Sequence, residues 1–425
     1  MTQRYDTYKD SGVQWLGEIP GHWECVRLNK LAYLKTGSTP NFFENKLFDE
    51  TIDWYTPSDF NEDFSLGKAR RRLNRKDFED CGLNYIPANS VLLIGIGATA
   101  GKVSCNTREC YSNQQITSII PNNRMISFYM MLYLRSIRNI ILKTAHYTTL
   151  PILNNLFLAG IRLPLPPLSE QHSIVSYLDA KCGKIDEWVT KKQKEVEHLQ
   201  ELKQRVIADA VTRGLNPHVK MKATNIPWLK EIPEHWECVK LKMFCQENKE
   251  KNKGNIESCV LSLSYGNIIV KKNVNFGLVP ENYDSYQIVN PGNIILRLTD
   301  LQNDHKSLRT GLVKNRGIIT SAYVGLIVKN MNSEYTQLIL HSYDVMKVFY
   351  GMGGGLRQSM SYTDIANVYI PVPPLSEQKQ IVSYLDAKTS KIDKLIANIT
   401  KEIECIKEYK QRLISDVVTG QIKVS

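Results

Sequence analysis

The stretch best equipped for chemistry is VLLIGIGATAGKVS, Val91 to Ser104, an apolar run that ends in glycines and a lysine. Gly95, Gly97 and Ala100 have the G-x-G-x-x-A spacing of a dinucleotide-binding turn, and Gly101 with Lys102 has the ending of a phosphate loop. A dinucleotide turn requires a helix after the glycines, whereas Lys102 to Gln115 is polar without a helical period. A Walker loop requires Gly where Ile96 stands and Ser or Thr where Val103 stands. What remains is a glycine hairpin that brings its backbone and Lys102 up to a phosphate-bearing partner. A basic run, Lys68, Arg70, Arg71, Arg72, Arg75 and Lys76, follows Trp54, Tyr55 and Phe60 and offers phosphate contacts beside aromatic surface.

Other constellations fail on spacing. Nine cysteines are scattered without a CxxC pair, and no second pair or His at finger distance follows Cys105 and Cys110, so reduced, mostly buried thiols are expected rather than a metal centre. No NPPY or DPPY motif for adenine methylation and no nuclease carboxylate cluster stands out; Glu-x-Lys at Glu44 and Glu408 occurs without context. His22 with Trp23, and His235 with Trp236, are read as docking residues between elements. The net charge of +11 favours acidic partners, nucleic acid ahead of membrane. Met1 to Asp10 is polar and no apolar run approaches a membrane span, which reads as a cytosolic protein.

The elements that must position these residues come in pairs. PPLSEQHSIVSYLDAK, Pro166 to Lys181, returns as PPLSEQKQIVSYLDAK, Pro373 to Lys388, and the interval of 207 residues is kept through Thr212 and Thr419. Proline pairs stop any upstream helix; Ser169 and Ser376 stand as N-caps, with Glu170 and Glu377 at the positive end of each helix dipole. Apolar residues then recur at steps of three and four: Ile185, Trp188, Val196, Leu199, Leu202, Val206 and Ala210 in one copy. In the other copy they are Ile392, Leu395, Ile399, Ile403, Ile406, Tyr409, Leu413 and Val417, with Lys192 interrupting the first seam where Ile399 continues the second. Gly214 and Gly420 are the stop signals. A helix of roughly 40 residues rises about 60 Å, too long for burial in one small domain, so each is read as a spacer.

A second repeat precedes the first. WLGEIPGHWECVRL, Trp15 to Leu28, returns as WLKEIPEHWECVKL, Trp228 to Leu241, at an interval of 213 residues. The unit is therefore landmark, variable domain, long helix, taken twice: residues 1–165 and 166–214, then 215–372 and 373–425. In the first variable domain Ser127 to Leu142 reads as one amphipathic helix. In the second, Val260 to Gly266, Pro291 to Leu301 and Gly317 to Tyr323 read as strands with turns, and Tyr335 to Tyr350 as a helix running into Gly351 to Gly355.

Doubled PPLSEQ helices, doubled WLxEIPxHW landmarks and two unlike domains between them resemble the specificity subunits of Type I restriction-modification systems over essentially the whole chain. The resemblance implies an α+β fold: two target recognition domains joined by two long antiparallel helices, a coiled-coil spacer, with a pseudo-two-fold internal repeat. It implies that each domain reads half of an asymmetric, bipartite target in double-stranded DNA. It also implies docking of two DNA adenine methyltransferase subunits, with restriction/translocase subunits joining for cleavage. S-adenosylmethionine, ATP and Mg would reside on those partners, and this chain would be non-catalytic. Candidate DNA contacts follow: Ser38 and Thr39 of TGSTP; Trp54, Tyr55 and Ser58 of WYTPSDF; Arg70, Arg72, Gly97, Lys102 and Gln114; and in the second domain Tyr265, Arg297, Asp300, Arg309, Thr320, Ser321, Tyr323, Arg357 and Gln358. The helix pairing would rest on Ile185, Val196, Leu199, Val206, Ile392, Ile399, Ile403, Ile406 and Leu413. Two other readings compete, a self-contained DNA-modifying enzyme and a coiled-coil architectural DNA binder; methyl transfer by the isolated chain and co-purification with a methyltransferase discriminate them.

Overall fold

The structure, a computed structural model, describes residues 3–39, 51–74, 83–145, 151–271, 282–301, 303, 308–352 and 359–424. Its helices are α1 (Ser127–Ser136), α2 (Arg138–Thr144), α3 (Asn155–Gly160), α4 (Leu168–Arg213), α5 (Ser333–Val345), α6 (Tyr362–Ile365) and α7 (Leu375–Val418). Two compact units result, Met1–Lys192 with Lys401–Ser425, and Gln193–Thr400, so that α4 and α7 each contribute to both.

α4 starts two residues earlier than its serine suggests. The Pro167 carbonyl accepts from the backbone N–H groups of Glu170 and Gln171 at 3.0 Å each, so Pro167 holds the cap position and Ser169 lies inside the first turn. The second copy does the same, with Pro374 accepting from Glu377 at 2.9 Å and Gln378 at 3.0 Å. At the far ends Gly214 and Gly420 both take φ +77°, where a Cβ is strained; at Gly420 it would also strike Pro20.

The paired seam of the long helices steps by three and four residues, while Ile174, Ile207, Val211, Ile381 and Val418 near the helix ends are buried off it. Val175, Leu178, Cys182, Ile185, Val189, Lys192, Val196, Leu199, Lys203, Val206 and Ala210 are buried or half-buried in α4. Their repeat equivalents Val382, Leu385, Thr389, Ile392, Ile396, Ile399, Ile403, Ile406, Lys410, Leu413 and Val417 are so in α7. Leu202, Leu395 and Tyr409 face solvent instead, because the 3.5-residue period carries the seam to Lys203, Ile396 and Lys410. Two of the three seam lysines, Lys203 and Lys410, are neutralised by carboxylates of the opposing helix. In the first unit Lys410 Nζ donates to Asp186 at 2.7 Å, and in the second Lys203 Nζ donates to Asp393 at 2.7 Å. Within each unit the two helices run antiparallel.

Each unit carries a four-stranded antiparallel sheet of the same strand order. In the first the neighbours run Ala32–Thr36, Ile116–Pro121, Val91–Ile94, Val103–Cys105; in the second Cys245–Glu247, Val324–Val328, Ile294–Leu296, Thr310–Leu312. Beside the first lies a three-stranded sheet in which Thr51–Tyr55 pairs with Arg71–Asn74 and, in parallel, with Cys110–Ser112. The second unit has instead the hairpin Leu261–Ser264 with Asn267–Val270 and the pair Gln287–Val289 with Gly317–Ile319. The expected helix from Ser127 to Leu142 is two, broken at Ile137, with Arg135 tied to the carbonyls of Val103 and Phe64 and Arg138 to that of Ala100 on either side of the break. The expected helix to Tyr350 stops at Val345, and Lys347 turns the chain with φ +62°.

The repeated motifs interlock. Trp23, fully buried, donates its indole N–H to Glu170 at 2.8 Å, and His22 sits 2.6 Å from the other oxygen. Trp236 and His235 meet Glu377 at 3.0 and 2.9 Å. The adjacent buried Gln171 accepts from the Ile126 N–H and donates to Arg124 and Pro166 carbonyls; Gln378 accepts from Asn332 and donates to Pro373. Buried Tyr129 donates to the carbonyl of Val418 and buried Tyr335 to that of Val211, each satisfying an end of a long helix. Removing Glu377 leaves a buried indole N–H without an acceptor, so Glu377→Ala is expected to cost about 1–3 kcal/mol of stability, read by denaturant unfolding, and Glu377→Gln less. His341, buried against α4 and hydrogen-bonded to Gln204 at 3.0 Å, has its pKa lowered to about 4 by desolvation first and by Lys203 second. A histidine depressed in the folded state favours folding above its unfolded pKa of about 6.5, and that advantage is lost as pH falls toward the folded value. Thermal unfolding should therefore show about 2 kcal/mol less stability at pH 5 than at pH 7 from this group, a difference that His341→Gln removes.

Candidate nucleic-acid interface

In the first unit the polar candidates converge on one turn. Thr56 begins it with a capping box: its N–H and hydroxyl both donate to Asp59 Oδ2, at 2.7 and 2.8 Å, and its Oγ1 lies 2.8 Å from Ser58 Oγ. Asp59 is buried, and its second oxygen accepts from the Arg70 N–H at 3.1 Å, joining the turn to the basic strand. The Arg70 side chain is 72% exposed. Trp54 lies beneath the Arg71 guanidinium, 5.8 Å from its ring, and donates to the Ser38 carbonyl at 3.2 Å. Trp54, Ser58, Arg70, Asn113 and Gln115 line one concavity of about 510 Å³. The Thr39 hydroxyl is hydrogen-bonded to Gln114 Oε1. Arg72 is paired with Asp53 at 2.7 Å.

Three candidates of this unit are corrected. Trp54 and Tyr55, on opposite faces of the strand Thr51–Tyr55, are both buried: Trp54 with Ile52 and Tyr111, and Tyr55 in a small apolar cluster with Phe60 and Ile86, its hydroxyl on Asp53 at 3.3 Å. Lys102 does not reach outward: Nζ donates to the Asn61 carbonyl at 3.0 Å and lies 5.6 Å from the Phe64 ring, which the guanidinium groups of Arg135 and Arg138 also flank. Gly97, at φ +105°, turns the chain between the Ile94 strand and Lys102 and does not line the concavity.

In the second unit the candidates separate. Tyr265, 84% exposed with φ +45°, forms the tip of its hairpin and lines a groove of about 550 Å³ with Lys203 and Gln204 of α4 and Asp386 and Thr389 of α7. Thr320, Ser321 and Tyr323 share a turn whose carbonyls at Thr320 and Tyr323 accept from buried Gln287, at 3.1 and 2.7 Å, while Lys251 donates to Ser321 Oγ at 2.8 Å. Arg297 and Asp300 stand half-exposed on the loop that follows Ile294–Leu296. Arg309 is corrected: it is wholly buried beneath that loop. Arg357 and Gln358 lie outside the described residues.

The organisers Asp59, Gln287, Arg135 and Arg138 were not expected from sequence. Only Asp59 had a readable signal, the T-x-x-D spacing of a capping box. Among the described cysteines Cys105, Cys110 and Cys245 are buried, which pushes their thiols up to about 12, whereas Cys25, Cys182, Cys238 and Cys259 are only half-buried and Cys405 is exposed. Among the described residues no group of three or more His, Cys, Asp or Glu side chains could hold a metal ion, and no helix is long and apolar enough to cross a membrane.

The duplicated frame around two unlike polar surfaces is matched by a family model, the Type I restriction modification DNA specificity domain, at residues 20–198 and again at 233–405. The chain belongs to that family. Its two matches begin 213 residues apart and end 207 apart, the intervals of the two repeated motifs. The specificity subunit is 25% identical to the Type I restriction enzyme MjaVIII specificity subunit of Methanocaldococcus jannaschii, over 96% of this chain and 94% of the relative. In fold it is similar to the HsdS subunit from Thermoanaerobacter tengcongensis, with a TM-score of 0.52 and 16% identity over 95% and 98% of the two chains. A chain from a solved structure concerned with complex assembly and conformational transition of the type I R-M system reaches a TM-score of 0.69 at 15% identity, over 94% and 98%. Specificity subunits are the non-catalytic components of such enzymes.

Arg70 and Lys102 make a test of these positions. Arg70→Ala is expected to weaken DNA binding alike on all sequences and to reduce the slope of log affinity against log salt by about one. Lys102→Ala should leave that slope unchanged and lower thermal stability, since its ammonium already has protein partners; binding titrations at several salt concentrations and melting curves check both.

Proposed function

We propose that the specificity subunit reads an asymmetric, two-part target in double-stranded DNA, one part by each unit, and positions two DNA adenine methyltransferase subunits on it, with restriction/translocase subunits joining in the cytoplasm. S-adenosylmethionine, ATP and Mg belong to those partners. The observation that carries the reading is the distribution of identity between the two copies. A buried residue repeated in both copies is accounted for by packing, but Leu168 and Leu375 are identical while 45% and 51% exposed. Ser169 and Ser376, Asp179 and Asp386, and Lys181 and Lys388 are likewise identical and exposed. Apolar surface presented twice in the same setting suits a partner that docks twice. The faces bearing Ser58 and Arg70 in one unit, and Arg297, Asp300 and Ser321 in the other, share no such identity, as reading two different sequences requires.

Exchange of Leu31 to Leu165 for the corresponding domain of another specificity subunit tests the reading. Mapping of methylated adenines in the host genome should show one half of the motif replaced and the other retained. A change in both halves together would remove the modular reading.

A further inference from the structure

We infer that Arg309 is a positioning residue that fixes a base-reading loop, Arg297 to Asp300, in the second unit; this rests on the reading of that unit as a DNA reader. The guanidinium is threaded under the loop. Nη1 donates to the carbonyls of Arg297 at 3.1 Å and Thr299 at 2.8 Å, and Nη2 donates to that of Asp300 at 3.2 Å. Nε donates to the Tyr350 hydroxyl at 3.1 Å, and the cation lies 5.3 Å from that ring. The Arg309 N–H donates to the buried Asp344 carboxylate at 2.6 Å. A buried cation is costly, and an apolar side chain of similar volume fills a core with less penalty. Here three hydrogen bonds of the guanidinium go to the carbonyls of Arg297, Thr299 and Asp300 within one loop, so the arginine specifies the shape of that loop rather than the packing beneath it.

The shape has a chemical consequence. With its carbonyls turned inward and Leu298 and Leu301 buried, the loop leaves Arg297, Thr299 and Asp300 half-exposed. Asp300 holds φ +57°, and its Oδ1 accepts from Asn303 Nδ2 at 2.8 Å. A guanidinium, a hydroxyl and a carboxylate side by side form a donor and acceptor set suited to base edges in a major groove. The first unit supplies an independent parallel. Its strand Val91–Ile94 has the place in the sheet that Ile294–Leu296 has in the second, and the loop that follows is tied by Arg138 Nη2 to the Ala100 carbonyl at 2.9 Å. One arginine comes from a helix and the other from just before a strand, and each anchors the loop at that place in its own sheet, Arg138 by one carbonyl and Arg309 by three.

Lysine keeps the charge but has no planar fork of donors, so Arg309→Lys should loosen the loop. Tyr350→Phe removes one acceptor and keeps the ring. In host cells carrying each variant in place of the original chain, methylated adenines are mapped and the ratio of mismatched to matched sites is scored for each half of the motif. Both variants should raise that ratio about tenfold for the half read by the second unit, as the loss of one good base contact does, and leave the other half unchanged. Arg309→Lys added to Arg297→Ala with Asp300→Asn should raise it no further, because a residue that acts through the loop has nothing left to position. An unchanged ratio, a uniform fall in methylation at all sites, or a full additional loss in the combined variant would each overturn the inference. Should Arg309→Lys fail to accumulate, the ratio for Tyr350→Phe decides alone. Failure of the underlying reading is separable, since the unaltered chain would then lack a two-part motif or fail the domain exchange.

Discussion

The repeated frame depends on one carboxylate per copy. Glu170 and Glu377 stand in the first turn of a long helix, where the dipole favours negative charge, and each receives an indole N–H from a tryptophan with no contact to solvent. Trp and Glu therefore solve each other's problem: the buried indole needs an acceptor, and the helix start needs an anion. The next residue, glutamine, ties the same helix start to the turn preceding α1 or α5. Two adjacent side chains thus fix a helix, a landmark strand and a domain helix against one another. In the first copy Tyr5 adds a third donor to the carboxylate at 3.1 Å.

Around this frame the variable domains keep their shape by polar means. Asp59 closes the Thr56 turn, Gln287 spans the Thr320 turn, and Arg309 fills the loop after Leu296, each buried and each bonded to backbone. Backbone bonds constrain conformation without prescribing the side chains displayed outside. Such a scaffold can keep its architecture while its surface is rewritten, and the two sheets of identical strand order with unrelated sequences are the outcome.

The frame was legible because repetition and a 3.5-residue period are properties of the chain itself. PPLSEQ twice, with Gly214 and Gly420 at the far ends, gave both long helices nearly to the residue. The errors have local causes. Ser169 fits a cap by residue type, but the proline carbonyl before it takes that role. Leu202, Leu395 and Tyr409 are apolar at helical spacing yet lie off the seam, while Lys203 and Lys410 lie on it because carboxylates oppose them. Arg309 and Tyr55 have the residue types of surface contacts, and letters do not disclose burial. The sheets were illegible in order, since strands of three to six residues pair across gaps as long as that between Ala32–Thr36 and Ile116–Pro121.

The seam ion pairs have a further property. Asp186 and Asp393 are repeat equivalents, as are Lys203 and Lys410, so the bonds Asp186 to Lys410 and Asp393 to Lys203 are the same bond with the copies exchanged. Each copy thus contributes the acid of one pair and the base of the other. Parallel alignment in matched register would set Lys203 against Lys410, like charge on like, and the antiparallel arrangement is selected electrostatically as well as by shape. A seam with this property is self-complementary: each repeat presents both the acid and the base that its duplicate requires.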